Sequence, residues 1–238
     1  FADRKEGQIQ PGIAFIAGQL IGFDTMERNR MYQVESQYQY RDQRFNLIAG
    51  SGIYQVNTNA HVVTRLLPPG DPSIFCINLP TACFSQDSNR EKVNCYLYTN
   101  YNLRSNLNAT IGFSYDSHRN PVGSIDYGRF NPKFGLQWDV VSNVRFRLAW
   151  FETTKSTLVT NQTIEPTQIA GFNQLYDDPT GTKSRRMGLG VDAHYANTVF
   201  GGFEISQRDL EVPGVLSDAS GSIAFFQQQK ETLNIAGP

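Results

Sequence analysis

Alternation of apolar and polar side chains dominates residues 131–150, which read NPKFGLQWDVVSNVRFRLAW. Large apolar side chains recur at every second position on both sides of a short Val-Ser-Asn segment. A period of two is typical of a β-strand with one apolar and one polar face. We therefore predict two long antiparallel strands joined by a tight turn at Ser142-Asn143. The apolar positions are Phe134, Leu136, Trp138, Val140, Val144, Phe146, Leu148 and Trp150.

Segments with the same period recur along the whole chain. We predict about ten strands of roughly 10 to 14 residues. Strands of globular proteins usually have about 5 or 6 residues, whereas tilted membrane strands need about 9 to 11. In the segment 44–56 the alternation changes phase near Gly50 to Gly52, which predicts a β-bulge. Besides the opening hairpin, strands are predicted at 10–23, 29–40, 44–56, 92–103, 107–117, 185–195, 198–209 and 221–237.

Short and long connections alternate between these strands, so all the tight turns lie at one end of the predicted sheet. Outer-membrane barrels have this asymmetry, with short periplasmic turns and long extracellular loops. The first connection, residues 24–29, is a shorter exception. We predict an all-β fold, an antiparallel up-and-down transmembrane β-barrel or part of one. Tight turns are predicted at 42–43, 104–106, 142–143 and 196–197, and long loops at 57–91, 117–131, 155–183 and 209–220.

The face of the sheet that meets water decides the class of protein, because soluble and membrane barrels share the same period. Aromatic residues of the apolar face, among them Tyr40, Tyr101 and Trp150, fall near strand ends, where membrane interfaces concentrate such residues. We therefore predict that the apolar face contacts lipid and that the polar face lines a hydrated or plugged lumen. The alternative is a soluble all-β binding module that uses the long loops. The lumen-facing candidates are Lys133, Asp139, Arg145, Arg147, Asp192 and Glu204.

Composition excludes two classes of protein. The 238 residues carry a net charge of −1, so a nucleic-acid-binding surface is not expected. The mean hydropathy is −0.40, and no apolar run approaches the roughly 18 residues of a membrane helix. No secretory signal peptide is visible at the first residue, and we expect residues 1–238 to be a single barrel region that is incomplete at both ends.

The three cysteines are Cys76, Cys83 and Cys95. Cys76 and Cys83 share a proline-rich loop and could close a small disulfide in an oxidising compartment, with two free thiols as the alternative. Histidines in metal-ligand spacing do not occur near these cysteines, so neither a metal nor another cofactor is predicted.

Two Asp-x-His pairs are the only candidates for catalysis. Asp116 with His118, and Asp192 with His194, each place a carboxylate and an imidazole on the same strand face. Such a pair could orient a general base, but a hydrogen-bonded network of lumen residues explains both pairs as well. We predict that the protein is not an enzyme, with a barrel hydrolase as the alternative.

The segment NPKFGLQWDVVSNVRFRLAWFETTK resembles the recurring hairpin of TonB-dependent-receptor-like barrels. The segments NQTIEPTQIAGFNQLYDD (161–178) and RRMGLGVDAHYANTVFGGFEISQRDLEVP (185–213) resemble a subgroup in which the barrel is the C-terminal part of large outer-membrane proteins, some with tetratricopeptide repeats in front. The resemblance covers residues 92–213. It implies the outer membrane of a Gram-negative bacterium and, at about 22 strands for such receptors, less than half a barrel here.

The resemblance implies a transport or export pore, or a receptor-like channel, with a passive lumen. The partners expected from it are outer-membrane lipid, an unknown solute or polymer, and a plug or periplasmic repeat domain outside this chain. A plug, a TonB-box-like segment and a tetratricopeptide pattern are not visible in the sequence. A barrel that only anchors a periplasmic repeat domain in the membrane is a second alternative.

Overall fold

The fold is built from β-strands. A computed structural model describes residues 2–16, 19–66, 84–119, 126–155, 163–174, 178–179, 181–195, 198–218 and 221–237. Within these ranges no helix has the length and apolar content needed to cross a membrane. The strands are β1 (Ala2–Ile16), β2 (Gln19–Arg41), β3 (Phe45–Leu66), β4 (Phe84–Arg104), β5 (Leu107–Arg119), β6 (Tyr127–Val141), β7 (Val144–Thr154), β8 (Gln168–Ile169), β9 (Phe172–Asn173), β10 (Lys183–Tyr195), β11 (Val199–Asp218) and β12 (Gly221–Gly237).

Ten of these strands form one antiparallel sheet in the order β1-β2-β3-β4-β5-β6-β7-β10-β11-β12, and β8 and β9 form a separate small hairpin. Each long strand pairs with the next long strand of the chain, which is the up-and-down topology. In the described part of the chain β1 and β12 are the two edges of the sheet, so the barrel is not closed. The predicted fold class is confirmed.

The strands are longer than the alternation predicted. β2, β3 and β4 contain 23, 22 and 21 residues, because they continue through stretches that were predicted as loops. These stretches have polar residues on both faces but keep their backbone ladder, and polar side chains bridge the strands. The Thr58 hydroxyl donates to Asn29 at 2.6 Å and the Asn59 amide to Asp87 at 2.6 Å. Alternation of apolar and polar residues therefore identifies only the part of a strand that has an apolar face. The strand itself can extend further.

Two predicted connections are wrong, because strands continue through these polar stretches as well. β11 runs to Asp218 and β12 begins at Gly221, so a loop over 209–220 does not exist. The first connection lies at residues 17–18, and residues 24–29 are part of β2. The sequence on both sides of residues 17–18 is apolar, and Gly18 is the single turn signal in it. The polar residues 24–29 remain paired with β1.

The β-bulge predicted near Gly50 is also wrong. The register between β2 and β3 is continuous, with Gly50 opposite Gln37 and Gly52 opposite Glu35. The phase changes because apolar residues lie on the polar face after the two glycines. The glycines leave space for other side chains: a Cβ at Gly50 would lie 2.3 Å from the Tyr96 hydroxyl.

The predicted tight turns at 42–43, 104–106 and 142–143 are present, and residues 196–197 lie outside the described residues. A backbone hydrogen bond from Asp42 N to Phe45 O at 2.9 Å closes the first of these turns. Asn106 O and Asn143 O accept hydrogen bonds from the neighbouring strands, from Asp139 N at 2.9 Å and from His194 N at 3.0 Å.

Large apolar side chains are exposed along one face of the sheet, the apolar face. Phe134, Trp138, Phe146 and Leu148 are each between 45% and 47% exposed, and none of them belongs to a closed core. The buried apolar cluster of Tyr96, Tyr98, Ala149, Phe151, Ile169 and Phe172 lies on the opposite face, which we call the polar face. An exposed apolar face opposite a polar face is typical of the outer side of a transmembrane β-barrel.

The apolar face has a sharp boundary on one side. On β7 the apolar series ends at Trp150, and Glu152 follows; on β10 it ends at Met187, and Arg185 follows. Glu152 pairs with Lys183 at 2.8 Å and with Arg185 at 2.9 Å. These charges lie towards the long-loop end of the strands, at the level expected for lipid headgroups.

We expect Leu148→Arg to destabilise the membrane-inserted protein by about 2 to 4 kcal/mol, because the substitution places a charge in the middle of the apolar face. Urea titration of the full-length protein in phospholipid vesicles measures this change. Ser105→Arg, in an exposed tight turn, is the control and should change the stability by less than about 0.5 kcal/mol. Equal stability of the two variants would contradict lipid contact at Leu148.

Candidate functional site

Part of the connection between β7 and β10 folds back onto the polar face of the sheet. We call residues 163–174, which contain β8 and β9, the inner hairpin. Ala170 and Gly171 form its turn with φ values of 49° and 86°, the two positive values that a type I′ turn needs. Gln174 N donates to Thr167 O at 2.8 Å and closes the hairpin at its base.

The inner hairpin rests on a row of small residues. Gly135 of β6, Ala149 of β7 and Gly188 of β10 lie side by side in the sheet register. A Cβ at Gly135 would lie 2.8 Å from the Ala170 Cβ, and a Cβ at Gly188 would lie 2.3 Å from a ring carbon of Phe172. Any side chain larger than hydrogen at Gly188 would therefore push the hairpin away from the sheet.

Two guanidinium groups contact the Phe172 ring, which is 0% exposed. The Arg147 and Arg186 Cζ atoms lie 5.0 Å and 5.5 Å from the ring centroid, within cation–π range. Glu204 accepts hydrogen bonds from both arginines, at 2.6 Å from Arg186 and 3.4 Å from Arg147. Asp192 holds Arg147 further with two hydrogen bonds of 2.6 Å and 3.0 Å. The charges that enclose the ring are thus fixed by the strands themselves.

The other end of the inner hairpin reaches β2 and β4. The Glu35 carboxylate accepts hydrogen bonds from the Thr163 hydroxyl at 2.6 Å and from Ile164 N at 3.2 Å. Glu165 accepts a hydrogen bond from the Tyr98 hydroxyl at 2.6 Å, and burial raises the pKa of Glu165 although Lys133 opposes the effect. The hairpin therefore lies across the polar face from β10 to β2.

A second charged cluster lies beside the hairpin. Lys92 pairs with Asp116 at 3.2 Å, and both side chains are less than 10% exposed. The Asn131 amide donates to the same carboxylate at 2.9 Å. His118 instead stacks on Tyr127, with ring centroids 5.2 Å apart.

In the other Asp-x-His pair, too, the carboxylate and the imidazole contact different groups. Asp192 accepts from Arg147, and His194 Nε2 lies 3.2 Å from the Ser142 carbonyl oxygen. Each carboxylate is held by a cation and each imidazole by another group, so the geometry offers no oriented general base at either pair.

The sequence-predicted site residues fall into three groups on the polar face. Arg147, Asp192 and Glu204 are joined in one network around the hairpin. Lys133 is 1% exposed, and its Nζ donates to the Glu152 carbonyl at 2.9 Å, away from that network. Asp139 and Arg145 form a separate ion pair near a tight turn, with distances of 2.6 Å and 3.0 Å. This last pair is 41% and 47% exposed in its side chains and contributes little.

Of the three cysteines, only Cys95 lies within the described residues. Cys76 and Cys83 lie outside the described residues. Cys95 is a free, exposed thiol. In the described ranges no group of three or more His, Cys, Asp or Glu side chains could hold a metal ion.

Sequence reasoning missed the residues that hold the inner hairpin. The alternation places Arg186 on the polar face but does not pair it with Phe172, which carries no local pattern that marks it. Glu35 meets Thr163 only through the fold. The signal that could have found the site is the glycine content of the strands. Gly135, Gly188 and Gly190 interrupt otherwise well-formed strands, and glycine inside a strand often marks the close approach of another part of the chain.

The sequence matches one family model over residues 6–211, described as TonB dependent receptor-like, beta-barrel. The chain belongs to this family. Its localisation follows from membership: it is part of an outer-membrane β-barrel of a Gram-negative bacterium. Among curated proteins no sequence matches the chain.

Solved structures of the same architecture resemble the chain in fold. The ferripyoverdine receptor of the Pseudomonas aeruginosa outer membrane superposes with a TM-score of 0.58 at 10% identity, over 95% of this chain and 33% of that receptor. The FrpB iron transporter of Neisseria meningitidis gives a TM-score of 0.53 at 10% identity, over 95% and 40%. The ferric citrate transporter FecA gives 0.52 at 12% identity, over 94% and 34%. The chain spans about a third of the length of such receptors.

We expect Gly188→Ala to release the inner hairpin, because the added methyl group would overlap the Phe172 ring. Chymotrypsin cleavage after Phe172 in outer-membrane vesicles reports release, since that residue is protected when the hairpin is docked. The cleavage rate should rise roughly ten-fold or more, as overpacking of this kind costs about 1 to 3 kcal/mol. Gly201→Ala is the matched control, because a Cβ there would meet only one atom, at 3.8 Å. Equal cleavage of both variants would contradict the docked position.

Proposed function

We propose that the chain forms part of the wall of an outer-membrane transport barrel and that its polar face lines the path of a solute. The family membership and the lipid-exposed apolar face support an outer-membrane receptor or transport role. Lys133, Arg147 and Glu204 would then be lumen residues, and the ion pair of Arg147 with Glu204 would contribute to the polarity of the wall. Catalysis has no part in this proposal, because the Asp-x-His pairs are engaged with other groups.

The relatives suggest what kind of solute passes. Their names include a ferripyoverdine receptor, an iron transporter and a ferric citrate transporter. By likeness of fold we propose a small solute complex as the cargo of the full-length protein. A plug domain or a periplasmic repeat domain, as the sequence resemblance implied, would be supplied outside residues 1–238.

The observation that carries the proposal is the position of the inner hairpin. It crosses the polar face from Phe172 beside β10 to Thr163 beside β2, and polar side chains hold it at both ends. In a barrel this face is the interior, so the hairpin narrows the solute path. We propose that the lumen is passive and that its width depends on whether the hairpin is docked.

Single-channel conductance of the full-length protein in planar lipid bilayers tests this proposal. We expect replacement of residues 163–174 by a short Gly-Ser linker to increase the conductance several-fold, because the linker no longer occupies the lumen. Gly201→Ala should conduct like the parent protein. Unchanged conductance after the replacement would refute the hairpin as a constriction and would favour a barrel that only anchors a periplasmic domain.

A further inference from the structure

The place occupied by the Phe172 ring is unusually specific for an aromatic group. The ring lies against the backbone of Gly188, where no side chain intervenes. The guanidinium groups of Arg147 and Arg186 lie 5.0 Å and 5.5 Å from the ring centre. A flat π-system suits a slot lined by two planar cations better than a branched aliphatic group does.

This slot belongs to the wall and not to the hairpin. Glu204 and Asp192 hold Arg147, while Glu204 and Ser206 hold Arg186, the latter at 2.7 Å. All of these groups lie on β7, β10 and β11, whose ladder is continuous through this region. The slot would therefore keep its shape when the hairpin leaves, and a preformed slot spares a ligand the cost of ordering it.

The hairpin also provides an acceptor oxygen next to the ring. Arg186 Nη1 donates a hydrogen bond to the Asn173 carbonyl oxygen at 2.9 Å. Once the hairpin has left, this donor loses that acceptor and can donate to a ligand instead. A ligand that replaces the hairpin should therefore carry an oxygen acceptor beside its ring, and a charged oxygen would make the stronger bond.

The hairpin's own turn is strained. Ala170 adopts a φ of 49°, a left-handed conformation that alanine rarely occupies. The strain lowers the stability of the docked hairpin and so makes its displacement easier. The inner hairpin is therefore held by specific contacts of Phe172 but weakened by its own backbone, so that a ligand could replace it.

We propose that the Phe172 slot is a binding site for an aromatic carboxylate and that such a ligand displaces the inner hairpin. The ring of the ligand takes the place of the Phe172 ring, and its carboxylate takes the place of the Asn173 carbonyl oxygen at Arg186. The inference rests on the proposed function, in which the polar face is open to solutes. It adds the chemical class of the ligand and makes the hairpin a competitor for the same site.

Chymotrypsin cleavage after Phe172 in the wild-type full-length protein tests displacement, with benzoate as the probe. We expect benzoate to raise the cleavage rate several-fold and saturably, because the displaced Phe172 becomes accessible to the protease. Cyclohexanecarboxylate has the same charge and a similar size but no aromatic ring, and it should not raise the rate. Equal effects of the two acids, or no effect of benzoate at saturating concentration, would overturn the proposal.

Direct binding provides a second test. Phe172→Ala empties the slot while its walls remain, so benzoate no longer competes with the ring. Isothermal titration calorimetry should show benzoate binding at least roughly ten-fold tighter than to wild type. Leu210→Ala, which removes another buried side chain of β11 away from the slot, should bind benzoate like wild type. Unchanged affinity in Phe172→Ala would refute the slot.

Failure of the inference and failure of the proposed function are distinguishable. If benzoate displaces the hairpin but the linker replacement leaves the conductance unchanged, the binding site stands and the solute path is refuted. If the linker replacement raises the conductance while benzoate neither binds nor displaces the hairpin, the solute path stands and the aromatic site is refuted.

Discussion

Hydrocarbon offers no hydrogen-bond partner to the backbone, and the rest of the structure depends on this constraint. Each interior strand of the sheet meets it by pairing along both sides with its neighbours. Once the strands are paired, successive side chains point to opposite faces, so one face must suit lipid and the other is free to carry charge. Trp138 and Gln137, adjacent in the chain, thus lie in opposite environments.

The inner hairpin exists because the polar face is not uniformly polar. Tyr96, Tyr98, Ala149 and Phe151 form an apolar patch among the charges, and Ile169 and Phe172 cover it. The surrounding ion pairs fix the orientation of the hairpin, since their geometry allows few alternatives. Apolar contact holds the hairpin down, and charge determines where it lies.

The sequence predicts the faces of the sheet well and the long-range contacts poorly, for physical reasons. A period of two is local, so the side of the sheet on which Lys133 or Arg147 lies can be read from a few neighbours. The partner of Arg147 depends on the pairing of β7 with β10, which places Asp192 beside it across 45 residues of sequence. The contact of Glu35 with Thr163, across 128 residues, follows from neither period nor pairing but from a loop that folds back.

The lengths of β2, β3 and β4 have a consequence for the entrance to the barrel. At roughly 3.3 Å per residue their 21 to 23 residues extend about 70 Å, more than twice the hydrocarbon thickness of about 30 Å. The excess residues extend the paired sheet at the long-loop end of the strands, where backbone pairing continues without interruption. In the proposed transport barrel, a solute that approaches this end would meet paired strands, which do not have to be ordered at each encounter.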